Sequence, residues 1–245
     1  VEDVPPIDRA EAATLATQEN DRTVELLASL GPDDWSRPTD CTGWTVRDLA
    51  GHLVGAMEGF SSYGRLVRML ARSGREARGG VSFVDAMTAI QVRDRASSST
   101  DELVARARAA APASARFRTR FPAALRKATT KQELLDGTTE RWTLAYLLDT
   151  ILTRDTWMHR VDLCRAIDRP VELTAEHDGR IVADVVAEWA RRHGRPFTLD
   201  LDGPAGGTYV QGEGGDHLRL DAVELCRTLS GRAPGDGLLT QEVPF

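Results

Sequence analysis

The chain has 245 residues, 41% of them hydrophobic and 28% charged, a balance that suits a soluble globular protein with one sizeable core and a smaller appended unit. Its formal charge of −6, with acids and bases interleaved, offers no broad positive field to nucleic acid, and no run approaches the about 18 consecutive apolar residues of a membrane span. Three cysteines, Cys41, Cys164 and Cys226, are odd in number and far apart, which argues against a disulfide framework or a thiolate cage. With no basic leader or apolar segment in the opening VEDVPPIDRA, a cytoplasmic protein is expected.

A first helix is predicted from Asp8, which can cap it, to about Leu30, with Leu15, Val24, Leu26 and Leu27 among its apolar positions and Gly31-Pro32 as its stop. After a loop rich in Pro, Asp and Gly, Thr45 can cap a second helix, in which Val46, Leu49, Leu53, Ala56, Met57 and Phe60 recur at helical spacing. It continues or restarts through Leu66, Val67 and Leu70 until RSGREARGG interrupts. Residues 82–127 hold two more helical patterns, with a serine joint at 97–99 and Asp101 as a possible cap. Arg106, Arg108, Arg116, Arg118, Arg120, Arg126 and Lys127 cluster there and read as a solvated helix face, since the aromatic residues a single-strand binder would interleave are nearly missing. A polar connection spans about 126–142.

The strongest helix runs from about 139 to 167, without Gly or Pro, and Asp168-Arg169-Pro170 closes it. Four long helices joined in this way make a bundle, where sites form between facing helices. Beyond Pro170 the texture changes. TAEHDGRIVADVVAEWARRHG reads as an amphipathic helix, FTLDLDG, GTYVQGEGG and HLRLD as short strands, AVELCRTLSGR as a helix and GLLTQEVPF as an ending strand. The expected fold is mainly α with a small α+β C-terminal domain: a four-helix bundle over 1–172 and a mixed unit over 173–245.

One stretch of the strongest helix, RDTWMHRVDL, is odd for a buried rod. On a wheel of about 100° per residue, Leu144, Leu148, Ile151, Leu152 and Ala166 fall within about 60° of Asp155, and His159 within about 40°. Burying the carboxylate requires a cation, a metal or strong hydrogen bonds. A divalent metal bound by Asp155 and His159 at i and i+4 answers that need, and so does a plain ion pair between them or with Arg154 or Arg160. His52, at the rim of the second helix's apolar face, is the best candidate for a third ligand. His177, His193 and His217 lie in polar sequence and read as surface residues.

DWSRPTDCTGWTVRDLAGHLVG, followed much later by RDTWMHRVDLCRAIDRP, resembles the mycothiol-dependent maleylpyruvate isomerase family, whose bundle is of the DinB-like type. The final DAVELCRTLSGRAPGDGLLTQEVPF is similar to that family's small C-terminal domain, so the likeness spans nearly the whole chain. Trp44, Asp48, Leu49 and His52 form one motif, and Asp155, His159 and Asp162 the other. The resemblance implies a divalent metal, zinc, on His52, Asp155 and His159, with Asp162 behind the ligands and mycothiol as the thiol cosubstrate. The isomerase prototype carries glutamate where this chain has Asp155. Three protein ligands leave zinc an open position, where a thiol loses its proton readily. The thiolate then adds to an activated double bond, and rotation and elimination return the trans isomer; alternatively, attack on an electrophile ends at the adduct. The likeness also suggests that Arg232 or Arg227 binds a substrate anion. Cys41 is expected to stay away from the site. The expected partners are a small electrophile and a low-molecular-weight thiol, with neither nucleic acid nor membrane. A non-catalytic member of the family that binds metal or a small molecule is the competing reading.

Overall fold

The computed structural model describes residues 1–133 and 137–245; residues 134–136, inside the connection expected over 126–142, lie outside the described residues. The chain divides into two compact units, one of Arg9–Pro170 and one of Val171–Phe245 together with Val1–Asp8.

In the larger unit, α1 (Arg9–Ala28), α2 (Val46–Gly59), α5 (Thr100–Arg120) and α8 (Leu152–Ala166) pack as the long rods of a bundle. Between α2 and α5, the chain forms a hairpin of α3 (Tyr63–Glu76) and α4 (Phe83–Arg93) that lies along α2. Local chemistry sets these boundaries. Thr45 caps α2, and Asp48 completes a capping box by taking the Thr45 N–H at 3.0 Å. The second helix does not continue: Ser62 caps a fresh start as α3. Ser99, not Asp101, caps α5, because Glu102 three residues on closes a second capping box.

Gly51, Gly55 and Gly59 leave a bare stripe on α2 where the α3–α4 hairpin approaches. A Cβ at Gly55 would stand 2.6 Å from the Gln91 Cβ, so α4 could not lie so close over any larger residue.

After α5 and the short α6 (Ala123–Arg126), the expected connection is in part a hairpin, with β1 (Thr129–Glu133) antiparallel to β2 (Thr139–Thr143). Threonine-rich TTKQE and TERWT favour extended chain over helix, so the long helix begins only at Leu144. It enters through α7 (Leu144–Tyr146) and a π turn over Leu147–Ile151 before settling into α8. At that turn the Leu152 N–H reaches back to the Leu147 carbonyl, one residue further than in an α-helix.

Residues 156–164 of α8 are all buried, so the rod is central rather than striped. Its polar side chains are accordingly paired: Arg160 Nε donates to Glu19 of α1 at 2.7 Å, with both residues buried. The cationic cluster is not the solvated face expected. Arg118 is buried and donates to the Leu148 carbonyl at 2.8 Å and to Thr153 Oγ1 at 2.6 Å, Arg126 is buried against Asp149, and Arg106 pairs with Glu58 at 2.8 Å.

The smaller unit opens with a π turn over Ala175–Gly179 and α9 (Arg180–His193), which Gly194 ends in left-handed backbone at φ 64°. Its sheet holds β3 (Phe197–Asp202) between antiparallel β4 (Gly207–Gln211) and parallel β5 (Asp216–Asp221), and α10 (Ala222–Leu229) follows under an Asp221 cap. The ending strand is a 3₁₀ turn, Gly237–Thr240, with irregular chain after it. Helices rather than a sheet edge satisfy this segment: Trp189 of α9 donates to the Leu238 carbonyl, and the Val243 N–H reaches the Leu229 carbonyl. His217 is exposed and His193 half-buried, but His177 is buried in the π turn, contrary to the surface position expected of it.

Candidate metal centre

The residues singled out by sequence come from two helices that face each other. α2 presents His52, and α8 presents Asp155 and His159 on adjacent turns. His52 Nε2 stands 3.7 Å from Asp155 Oδ2, and His159 Nε2 stands 3.4 Å from Asp155 Oδ1. The two imidazoles meet edge to face with centroids 5.0 Å apart. All three donor atoms lie within 4.8 Å of one another.

Each ring is pinned through its other nitrogen. His52 Nδ1 lies 2.8 Å from Gln91 Oε1 on α4, and His159 Nδ1 lies 3.0 Å from Asp162 Oδ2 one turn further along α8. Both partners are acceptors, so both Nδ1 atoms carry the hydrogen and each neutral ring turns a bare Nε2 towards Asp155. The buried His52 Nε2 has no hydrogen-bond partner. Its 3.7 Å separation from the carboxylate is beyond hydrogen-bond range but near the edge, about 3.3–3.5 Å, between nitrogen and oxygen ligands sharing one tetrahedral ion. The donor set therefore fits a divalent cation, and the Asp162–His159 contact is the carboxylate–imidazole pairing that orients metal ligands.

Electrostatics state the same demand. Burial works to raise the Asp155 pKa, yet the His159 charge and hydrogen bonds to both imidazoles hold it far below the carboxylate range. Burial likewise works to lower the His159 pKa, and the Asp155 charge reverses that and raises it well above the ordinary imidazole value. The pocket wants positive charge beside Asp155. Arg118 adds to the field: burial takes its guanidinium down to about 10, against the pull of Asp149 and Asp155.

The loop before α2 builds one wall. Thr39 and Trp44 pair through their backbones at 3.0 Å, the Thr39 hydroxyl also bonds the Trp44 carbonyl at 2.9 Å, and Gly43 takes φ 81° at the tip. That fold sets the Trp44 ring 5.3 Å from His52. It also brings Cys41 in, against expectation, with Sγ 3.4 Å from Asp162 Oδ2 and 3.7 Å from His159 Nδ1. The motif's parts thus divide: Asp48 caps the helix, Leu49 packs in the core, Trp44 walls the pocket and His52 supplies a donor. Arg227 sits in the smaller unit, buried on α10 with Glu224 at 2.8 Å, and Arg232 lines a cleft of about 470 Å³ between Thr228 and Glu242.

A family model described as the mycothiol maleylpyruvate isomerase N-terminal domain matches residues 16–164, well over half of the chain. The chain belongs to this family. Among solved structures, it is similar to the mycothiol-dependent maleylpyruvate isomerase at 18% identity and a TM-score of 0.57, covering 97% of this chain and 95% of that one. A histidine-to-alanine mutant of the mycothiol-dependent maleylpyruvate isomerase gives 17% identity and a TM-score of 0.56, over 92% and 90% of the two chains. The family fold is the DinB-like bundle with its small C-terminal sheet. No curated protein matches the chain. Among the described residues, no helix is long and apolar enough to cross a membrane.

Sequence reasoning missed Gln91 and Cys41. The glycines at 51, 55 and 59 were the available signal for Gln91, since spacing of i, i+4, i+8 marks the face where another helix lies close.

Proposed function

We propose that the chain is a metal-dependent enzyme that uses a low-molecular-weight thiol, mycothiol, as an isomerase or S-transferase on a small electrophile. One observation carries this reading: two imidazoles, each tied back through Nδ1, aim their Nε2 atoms at one buried carboxylate, and one of those atoms has no hydrogen-bond partner. Membership of a family named for mycothiol and maleylpyruvate supports the choice of thiol and substrate class.

His52, Asp155 and His159 would hold the ion, and zinc suits two nitrogens and one carboxylate. When bound, such a cation supplies a Lewis-acid position that stabilises a thiolate at neutral pH. The chain's own residues do the rest. Asp162 and Gln91 keep the rings turned inward, and Trp44 screens one side from water. The cosubstrate's sulfur is the nucleophile in this scheme, so no side chain of the protein has to attack. Aspartate at 155 reaches one methylene less far than glutamate, and α8 compensates by standing close to α2. Arg227 or Arg232 would bind the carboxylate of an anionic substrate.

The test begins with metal analysis of the purified protein, of His52→Ala and of His159→Ala. It continues with incubation of the zinc-loaded protein with mycothiol and a panel of electrophiles, read by mass spectrometry for adducts and by chromatography for isomers. Near-stoichiometric zinc in the parent, lost in both variants, and thiol-dependent conversion are expected. A parent protein that neither holds zinc nor turns over any electrophile would overturn the reading.

A further inference from the structure

Gln91 belongs to neither sequence motif, yet it is 2% exposed and touches the pocket at its least supported atom. We propose that Gln91 is a positioning residue: it fixes the tautomer and tilt of His52, and through them the affinity of the pocket for a divalent cation. The proposal rests on the metal reading given above.

The amide can face His52 in one sense only. Its Nε2 points at Met69 Sδ, 3.6 Å away, and sulfur accepts, so the carbonyl oxygen is the end left for the imidazole. An acceptor at 2.8 Å makes His52 Nδ1 the donor and leaves Nε2 as a lone pair directed at Asp155. Without that acceptor, nothing in the described contacts of His52 distinguishes the two tautomers, and the carboxylate would draw the hydrogen to Nε2, where a cation would have to displace it.

Two further contacts hold Gln91 in place. Its backbone carbonyl takes Arg95 Nη1 at 2.7 Å, and Arg95 is in turn paired with Glu58 of α2. Its Cβ lies where a side chain on residue 55 would be, so Gly55 is what lets α4 bring the amide within reach of a ring on α2. The two histidines are thereby unequal. Asp162 gives His159 a charged acceptor, and Gln91 gives His52 a neutral one, which leaves His52 the weaker donor of the pair.

The experiment compares the parent protein with Gln91→Met, which keeps volume without the carbonyl, and Gln91→Glu, which keeps an acceptor. Zinc affinity is measured by competition with a chromogenic chelator, and the tautomer of His52 by nitrogen-15 imidazole spectra of the metal-free proteins. Gln91→Met is expected to bind zinc about 10–100-fold more weakly and to lose the Nδ1–H tautomer, while Gln91→Glu retains both. Zinc affinity in Gln91→Met within about threefold of the parent, with an unchanged tautomer, would overturn the proposal. Should Gln91→Met fail to fold, the parent spectrum decides alone, because an Nε2–H tautomer at His52 contradicts it. A parent that binds no zinc defeats the metal reading, and the tautomer then still decides the role of Gln91 towards His52.

Discussion

On the sheet of the smaller unit, His217 Nε2 and Asp200 meet at 2.6 Å in the open, whereas inside the bundle His159 and His52 stop 3.4 and 3.7 Å short of the oxygens of Asp155. The residue types are the same in both places. The exposed pair has side chains that rotate until the hydrogen bond is made, and that bond holds the Asp200 pKa below its ordinary value. The buried rings cannot rotate, because Asp162 and Gln91 hold them from behind. A gap between opposite partners therefore reports a constraint, and the constraint is supplied by residues that neither motif announces.

Breaking the frame that holds α8 should have the largest effect. Glu19→Ala strands the buried Arg160, and a loss of about 3–5 kcal/mol is expected in urea unfolding, most of it recovered when Arg160→Met is added to Glu19→Leu. Filling the gap comes next. Zinc at 100 times its dissociation constant should stabilise the parent by about 2.7 kcal/mol in thermal melts, and His159→Ala should abolish the increment.

Acid tests the bundle's other buried network. Burial works to raise the Glu58 pKa, and the hydrogen bonds from Arg106 and Arg95 outweigh it and hold the value below 4.5. A depressed carboxylate contributes stability above its unfolded pKa and loses it as pH falls through the folded one. Unfolding midpoints measured downward from pH 4.5 should thus fall less steeply in Glu58→Gln than in the parent. The smallest effect belongs to the exposed pair: His217→Ala should leave both the melting temperature and the zinc increment where they were.

Much of this arrangement was legible in the residues. Helical spacing and the caps Thr45 and Gly194 placed two of the helices that matter, and an acid with an imidazole on a buried rod pointed to Asp155 and His159. His52 followed from the motif around it. Gln91 was not legible, because its importance comes from a helix crossing that three glycines permit. Cys41 was missed because a loop folded through Thr39 and Gly43 brings in a residue 118 positions from His159. Arg118 and Arg126 looked solvated since charge runs on helices usually are, and only the tertiary partners Leu148, Thr153 and Asp149 make their burial tolerable. The hairpin before α7 escaped because helical periodicity was extended upstream through a threonine-rich strand.

The π turn at Leu147–Ile151 carries a consequence for how this bundle tolerates length change. A wide turn is an α-helix with one residue accommodated sideways, so removing a residue there restores regular winding without loss of hydrogen bonds. The cost falls downstream: everything from Leu152 onward would swing by about 100° relative to the preceding turn. A single-residue deletion in that segment should leave a helical protein whose aspartate and imidazole look away from α2, which makes the indel record of the five residues a gauge of whether the pocket is in use.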